Sequence, residues 1–249
     1  MTRAKVLILC GGRGRRLSPN VSSLPKVLIE LHGKPILQRI LEFYIQRQWR
    51  QFVICAGYRS DLIQNFLSQF QGKAEIEISD SGEEAGMLER LYKARHLIDK
   101  RAIVTYGDTF IDIDIDQMLK EHLKGGRDIT LTVADIRTPF GIVKIDNDQK
   151  VKSFEEKPIF SYYIGHMILE RKVLDELDEP LIFTPDGEGI VKLFQLLARQ
   201  KRLYAYKHKG LKLTFNTWNE HKSAEDVFVR FFTEVASSFP DYSGDHDIV

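Results

Sequence analysis

The chain has 249 residues, 43% hydrophobic and 29% charged, with 36 Lys and Arg against 35 Asp and Glu and a formal net charge of +1. That balance gives no overall basic field of the kind nucleic-acid binding needs, and no apolar run approaches the ~20 residues of a membrane span. Two cysteines, Cys10 and Cys55, are too few for a disulfide framework and fit a reducing compartment. With no signal-peptide pattern before the first apolar run, a cytoplasmic protein is expected, and the length suits one α/β domain.

Val6 to Leu9 form an apolar run that ends in Cys10-Gly11-Gly12-Arg13-Gly14-Arg15-Arg16. This reads as a buried strand feeding a glycine-rich loop. Apolar residues at 36, 37, 40, 41, 44 and 45 predict a helix, entered through Gly33-Lys34-Pro35 with Pro suited to a first turn. A second apolar strand over 51–56 is closed by Gly57-Tyr58. A helix is expected over 61–70, and Glu75-Ile76-Glu77-Ile78 alternates as a half-buried strand. The turn-rich stretch 80–86 leads into a helix carrying Met87, Leu88, Leu91 and Ala94. Residues 102–106 are a further buried strand, ending in Gly107-Asp108. Such alternation of strand and helix builds a mainly parallel sheet through right-handed crossovers. Ligands then bind beyond the carboxyl ends of the strands, where Gly11, Gly82 and Asp108 stand.

The second half changes character. Strands are expected over 129–136, 142–148 and 162–169, with 151–158 returning as the partner of a hairpin. Helices are expected over 171–177 and 190–199, strands over 203–206 and 211–215, and a last helix over 223–235. Residues 1–236 read as one domain and 237–249, rich in Ser, Asp and Gly, as a loosely held tail.

Three glycines in four residues let backbone N–H groups approach phosphate oxygens, and Arg13, Arg15, Arg16 and Lys26 add positive charge. The loop is neither of the common phosphate loops. Leu17 replaces the third glycine of a dinucleotide fingerprint, and no Gly-Lys-Ser/Thr follows. A tight basic turn after a strand is the plain alternative. Asp108 suits a Mg²⁺ shared with phosphate oxygens and equally the cap of a following helix. Glu155-Glu156-Lys157-Pro158, by itself, is a solvated charge run before a turn. The seven histidines show no metal-ligand spacing, and no serine elbow or reactive-cysteine motif appears.

Gly11-Gly12-Arg13-Gly14-Arg15-Arg16-Leu17 with Pro25-Lys26 resembles the sugar-1-phosphate nucleotidyltransferase family, whose loop reads G-G-x-G-T-R-L and then P-K-P. Arg15 departs from the family's Thr and Val27 from its Pro. The resemblance runs from Lys5 to about Val227. It implies a Rossmann-like, GT-A-like three-layer α/β fold with a mixed, mainly parallel central sheet. It also implies Arg16, Lys26 and Asp108 as catalytic residues, and Leu9, Gly11, Gly12, Gly14, Arg15, Arg16, Lys26, Gly86 and Asp108 as the nucleotide site. Tyr106-Gly107-Asp108 resembles the family's G-D metal site and Phe215-Asn216-Thr217 its second metal motif, so Mg²⁺ is expected on Asp108 and Asn216. Read alone, Asn216 equally turns the chain.

Glu155-Glu156-Lys157-Pro158 matches the family's E-E-K-P, which implies Glu156 on sugar hydroxyls and Lys157 on the sugar phosphate. Phe140-Gly141-Ile142-Val143 resembles F/Y-G-V-V, which puts the Gly141 backbone against the sugar. Gly165 falls where the family often reads N-A-G or N-G-G, but Tyr163 replaces the sugar-contacting Asn. Phe52-Val53-Ile54-Cys55-Ala56-Gly57-Tyr58, and Thr105 to Asp108 with Asp112-Ile113-Asp114, resemble the cytidylyl branch. CTP and a sugar 1-phosphate are therefore the expected substrates, with an NDP-sugar and pyrophosphate as products. A guanylyl- or uridylyl-transferring hexose or heptose enzyme is the near alternative, and a non-catalytic regulatory relative that binds NDP-sugars the distant one. A nicotinamide oxidoreductase would want an acidic residue where Ala56-Gly57 end the second strand. Members of the family often assemble, so a homo-oligomer is expected, without nucleic-acid or membrane partners.

Overall fold

The computed structural model describes residues 4–12, 24–185 and 187–214, together with Ala224 and Val227. In chain order the elements are β1 (Lys5–Leu9), β2 (Glu30–Leu31), β3 (Lys34–Pro35), α1 (Ile36–Gln46), β4 (Gln51–Ala56), α2 (Ser60–Ser68), β5 (Glu75–Asp80), α3 (Met87–Ala94), β6 (Arg101–Tyr106) and β7 (Thr109–Ile111). They continue with α4 (Ile115–Lys124), β8 (Ile129–Arg137), β9 (Ile142–Ile145), β10 (Val151–Glu155), β11 (Ile159–Glu170), α5 (Arg171–Asp175), α6 (Glu179–Ile182), α7 (Glu188–Arg199), β12 (Leu203–Lys207) and β13 (Lys212–Thr214).

Seven strands form one sheet in the order β12-β8-β11-β6-β1-β4-β5. β1 pairs in parallel with both β4 and β6, β4 with β5, and β12 with β8. β11 runs against both of its neighbours, β6 and β8. The sheet is thus mixed and mainly parallel, as expected. Alternation along each strand divides the core into two layers. Val6, Ile8, Phe52 and Ile54 pack with α1 and with Met118 of α4. Leu7, Val53 and Cys55 face Leu88 and Leu91 of α3, Val173 of α5 and Leu193 of α7. Strands buried on both faces, such as β1 and β4, need no polar alternation, which is why Val6 to Leu9 and Phe52 to Ala56 read as unbroken apolar runs.

Most predicted elements stand within a few residues of their expected bounds. α2 begins at Ser60 and stops at Ser68, and α5 ends at Asp175. β11 is longer than foreseen, starting at Ile159. β2, β3, β7, α4 and α6 are not foreseen. α4 carries its own signal: Asp114 accepts the backbone N–H of Gln117 (2.9 Å) as its N-cap, and Ile115, Met118 and His122 are its buried face. The expected helix over 223–235 and the tail over 237–249 lie outside the described residues, except that Ala224 and Val227 are helical. β9 and β10 form a separate two-stranded ribbon.

Candidate active site

The carboxyl ends of β1 and β6, with the middle of the antiparallel β11, open into a cleft of about 820 Å³. Its floor is built from local chain geometry. Beyond β1, the Cys10 N–H donates to the Cys55 carbonyl (2.9 Å) and the Tyr58 N–H donates to the Gly11 carbonyl (3.2 Å). The start of the glycine loop is thereby tied to the end of β4. Below it lies Arg90 of α3, only 4% exposed. Its Nη1 donates to the carbonyls of Ala56 (2.6 Å) and Gly82 (2.9 Å), and its Nη2 to those of Gly11 (3.3 Å) and Glu83 (3.2 Å). A Cβ on Gly11 or on Gly57 would stand 2.1 Å from this guanidinium, so both positions require glycine. Among the described residues nothing stands within 4 Å of a Cβ on Gly12, which lines the cleft.

The facing wall comes from the turn after Pro25. Lys26–Leu28 is a single 3-10 turn, and Val27 is seated against Gly107. A Cβ on Gly107 would meet Val27 Cγ1 at 2.5 Å and the Leu9 carbonyl at 2.9 Å. That close approach carries Lys26 Nζ to 2.8 Å from Asp108 Oδ2, an ion pair between residues 82 apart. Their side chains are 11% and 29% exposed, so the pair is partly desolvated and faces the cleft. The Thr109 hydroxyl donates to Asp108 Oδ1 (3.3 Å). Asp108 caps no helix: β7 follows it directly, and Asp114 takes the cap of α4.

Asp108 therefore offers a carboxylate at a strand end, inside the cleft and opposite the glycine loop. That donor set fits Mg²⁺, which takes one or two protein carboxylates and completes its shell with phosphate oxygens and water. Among the described residues no group of three or more His, Cys, Asp or Glu gathers around a metal position. Asn216, the expected second ligand, lies outside the described residues, as do Gly14, Arg15 and Arg16.

The far wall belongs to β11. Gly165 lines the cleft with φ +76°, and a Cβ there would crowd Tyr106 at 3.1 Å and Thr109 Oγ1 at 3.3 Å. Tyr163, which replaces the family's Asn, has its ring edge-on to Tyr106 (5.9 Å) and to Phe194 of α7 (5.5 Å). Burial, and then the neighbouring Tyr106, push its hydroxyl pKa well above the ordinary tyrosine value. It acts as a packing residue that closes the cleft floor.

Other sequence-predicted residues stand further out. Leu9 lines the cleft. Gly86 caps the start of α3 and is buried, while its neighbours Ala85 and Met87 supply the lining. Gly141 and Glu156 are brought together across the β9–β10 ribbon, since a Cβ on Gly141 would lie 3.1 Å from Glu156 Oε2. Glu156 and Lys157 are exposed and 3.7 Å apart, and none of these three lines the cleft. Cys10 and Cys55 are free and buried, with burial the first cause of raised thiol pKa values. They are core residues.

Sequence reasoning missed Arg90 and Lys212. Arg90 interrupts the apolar stripe of α3 between Leu88 and Leu91, and a charge on a buried face signals buried partners. Lys212 of β13 lines the cleft with Nζ 3.3 Å from the Tyr162 hydroxyl. No helix among the described residues is long and apolar enough to cross a membrane.

Comparison with known proteins agrees with this architecture. The glucose-1-phosphate cytidylyltransferase of Salmonella typhi is 30% identical over 253 residues, covering 90% of this chain and 95% of its own. The mannose-1-phosphate guanylyltransferase catalytic subunit beta of Drosophila pseudoobscura pseudoobscura is 30% identical over 213 residues, covering 81% of this chain and 56% of its own. A crystal structure of UDP-glucose pyrophosphorylase complexed with UDP-glucose shares the fold, with a TM-score of 0.70 at 16% identity over 92% of this chain and all of that one. The family model for nucleotidyl transferase matches residues 5–220, and the chain belongs to that family.

Proposed function

We propose that the protein joins a nucleoside triphosphate, CTP in the first instance, to a sugar 1-phosphate, releasing pyrophosphate. The observation that carries this reading is the convergence of Lys26 and Asp108 on the glycine turn at one cleft mouth. A sugar phosphate is largely dianionic at neutral pH, its second pKa lying near about 6. Its oxygen can attack the α-phosphorus without a general base, in one in-line displacement. The protein then has to hold two mutually repelling anions in line and stabilise the transferred charge. Lys26 supplies a fixed cation whose position Asp108 sets, and the Gly12 backbone leaves room for phosphate oxygens. Arg16, from the same loop, is assigned to the departing phosphates, and Gly165 admits the sugar close to β11. Mg²⁺ on Asp108 and Asn216 would neutralise the triphosphate. Gly141, Glu156 and Lys157 are assigned to the sugar phosphate from the ribbon.

The preference for CTP rests on the cytidylyltransferase relative, which the match covers almost end to end. The guanylyltransferase relative keeps GTP as a second reading. We further read 1–236 as one unit, 237–249 as a tail, the compartment as cytoplasm and the working form as a homo-oligomer.

The test is pyrophosphate release in Mg²⁺ with CTP, GTP, UTP, ATP and dTTP against a panel of sugar 1-phosphates. Release is expected with CTP, abolished by chelator and reduced at least about a hundredfold by Lys26→Ala, the scale of losing one oriented charge at the reacting centre. Absence of release with every pair, together with no nucleotide binding by calorimetry, would sink the reading.

A further inference from the structure

A second cavity, of about 550 Å³, adjoins the cleft and shares Lys212 and Thr214 with it. It lies over the ends of β8 and β12, and Lys207, Lys209, Lys212 and Asp135 line it together with His208, which pairs with Asp112 (3.1 Å). Asp135 is already occupied: it accepts from the Ser161 hydroxyl (2.6 Å) and pairs with Lys207 (3.1 Å). Lys212 lies 4.4 Å above the Tyr162 ring, and Asp135 feels the charge of Lys209 as well as that of Lys207. The pocket therefore sets three lysines against one lining carboxylate.

Its place in the sheet gives those charges a direction. The glycine loop and Asp108 follow β1 and β6. Counting from β6, the sheet continues through β11 to β8 and β12. Strands are spaced about 4.8 Å apart, so the lysine pocket begins roughly 10 Å beyond the Lys26–Asp108 pair, on the side away from the Glu83–Ala85 loop. That is about the length of a hexose measured outward from its 1-phosphate. Lys212 opens on both cavities, with its Nζ 3.3 Å from the Tyr162 hydroxyl of the lysine pocket.

We propose that the acceptor is a sugar 1-phosphate bearing a second anionic group, a carboxylate or a phosphate, at the end of the sugar remote from C1, and that Lys212 and Lys209 bind that group. The proposal rests on the nucleotidyl-transfer reading above and specifies its substrate class.

The experiment compares kcat/KM for pyrophosphate release with glucose 1-phosphate, glucose 1,6-bisphosphate and glucuronic acid 1-phosphate. At least one anionic acceptor should exceed glucose 1-phosphate by about tenfold or more, the worth of one charge-assisted hydrogen bond. Preference for the bisphosphate identifies a phosphate as the bound group, and preference for the uronate a carboxylate. Lys212→Gln and, separately, Lys209→Gln should lower that anionic-to-neutral ratio about tenfold, and Lys212→Arg should retain it. Lys209 is exposed in a loop, so its variant keeps the test sound if Lys212→Gln misfolds. Equal or better use of glucose 1-phosphate, or a ratio that neither Gln variant moves, overturns the proposal alone. No pyrophosphate from any of the three acceptors with any of the five nucleoside triphosphates overturns this proposal, and absence of nucleotide binding by calorimetry as well overturns the nucleotidyl-transfer reading with it.

Discussion

Arg90→Met tests how the glycine loop is held. Methionine fills much of the same space but removes four donated hydrogen bonds, to Gly11, Ala56, Gly82 and Glu83. Bonds from a charged donor are worth about 1.5–3 kcal/mol each. Two of the acceptors keep a second donor, the Tyr58 N–H on Gly11 (3.2 Å) and the Ser81 N–H on Ala56 (3.4 Å), so the full sum is not lost. A net destabilisation of about 3–5 kcal/mol follows, the scale of breaking a buried charged network. In a domain of this size that lowers Tm by on the order of 10 °C. Urea unfolding followed by circular dichroism reads the stability, and calorimetric titration with CTP reads the loop. Affinity should fall along with stability, because the Gly11 carbonyl and the Glu83 loop lose their common anchor. Arg90→Lys keeps a charge but loses the planar fork, and should recover less than half of the lost stability. A loss under about 1 kcal/mol with unchanged CTP affinity would refute the reasoning, since four bonds from a charged, buried donor cannot be that cheap.

Two further predictions concern the other wall and the core. Gly165→Ala forces a side chain into left-handed backbone at φ +76° and against Tyr106 and Thr109, and should cost about 2 kcal/mol. Gly12→Ala, whose Cβ would meet nothing within 4 Å among the described residues, should stay within about 0.5 kcal/mol in the same urea assay. Equal effects of the two would show that the backbone of β11 accommodates a side chain freely. His166 is fully buried, with Nε2 2.9 Å from the Tyr44 hydroxyl and Nδ1 3.2 Å from the Thr132 hydroxyl, and burial pushes its pKa down to about 3. The folded state keeps it neutral while the unfolded chain takes up a proton below about pH 6.5. Its contribution is thus complete above that pH and is lost progressively as pH falls towards 3. Between pH 6.5 and 5 the wild type should lose about 1.6 kcal/mol more than His166→Gln, the slope rising from half of ~1.4 kcal/mol per pH unit at pH 6.5 to nearly all of it at pH 5. Parallel pH profiles for the two proteins would remove His166 as the cause.

The fold was legible where one rule dominated. Double-sided burial wrote β1, β4 and β6 as plain apolar runs, and the stripe at 36, 37, 40, 41 and 44 wrote α1, whose buried face includes those positions. The segment between Asp108 and Ile129 was not legible, because its acidic residues drew the eye to chemistry. Asp114, in fact, spends its carboxylate on a helix cap. The reversal of β11 was also hidden. An antiparallel insertion leaves the strand itself apolar and alters only its partners, Thr105 to Arg101 on one side and Ile129 to Arg137 on the other. Register of that kind is a property of the assembled sheet.

At the site, legibility divided by what each residue has to do. Lys26 reads as a cation beside a phosphate loop, whereas Asp108 reads equally as a helix cap and only the family resemblance turns it towards a metal; the structure brings the two within 2.8 Å. What joins them could not be read. It is the fit of Val27 against Gly107, a contact between two residues with no chemistry of their own. Arg90 reverses the case: it carries the charge that sequence reasoning looks for, yet aims it at backbone carbonyls. The same residue type supplies phosphate-binding candidates in the glycine loop and a buried strut beneath it, and only the partner tells them apart. Lys212 stands between these cases. Its charge is spent on no carboxylate among the described residues, it opens on both cavities, and a cation left uncompensated beside a substrate cleft lowers the cost of binding an anion there. The Lys26–Asp108 pair therefore bears on the reaction proposed above, and the lysines beyond β11 on the acceptor proposed for it.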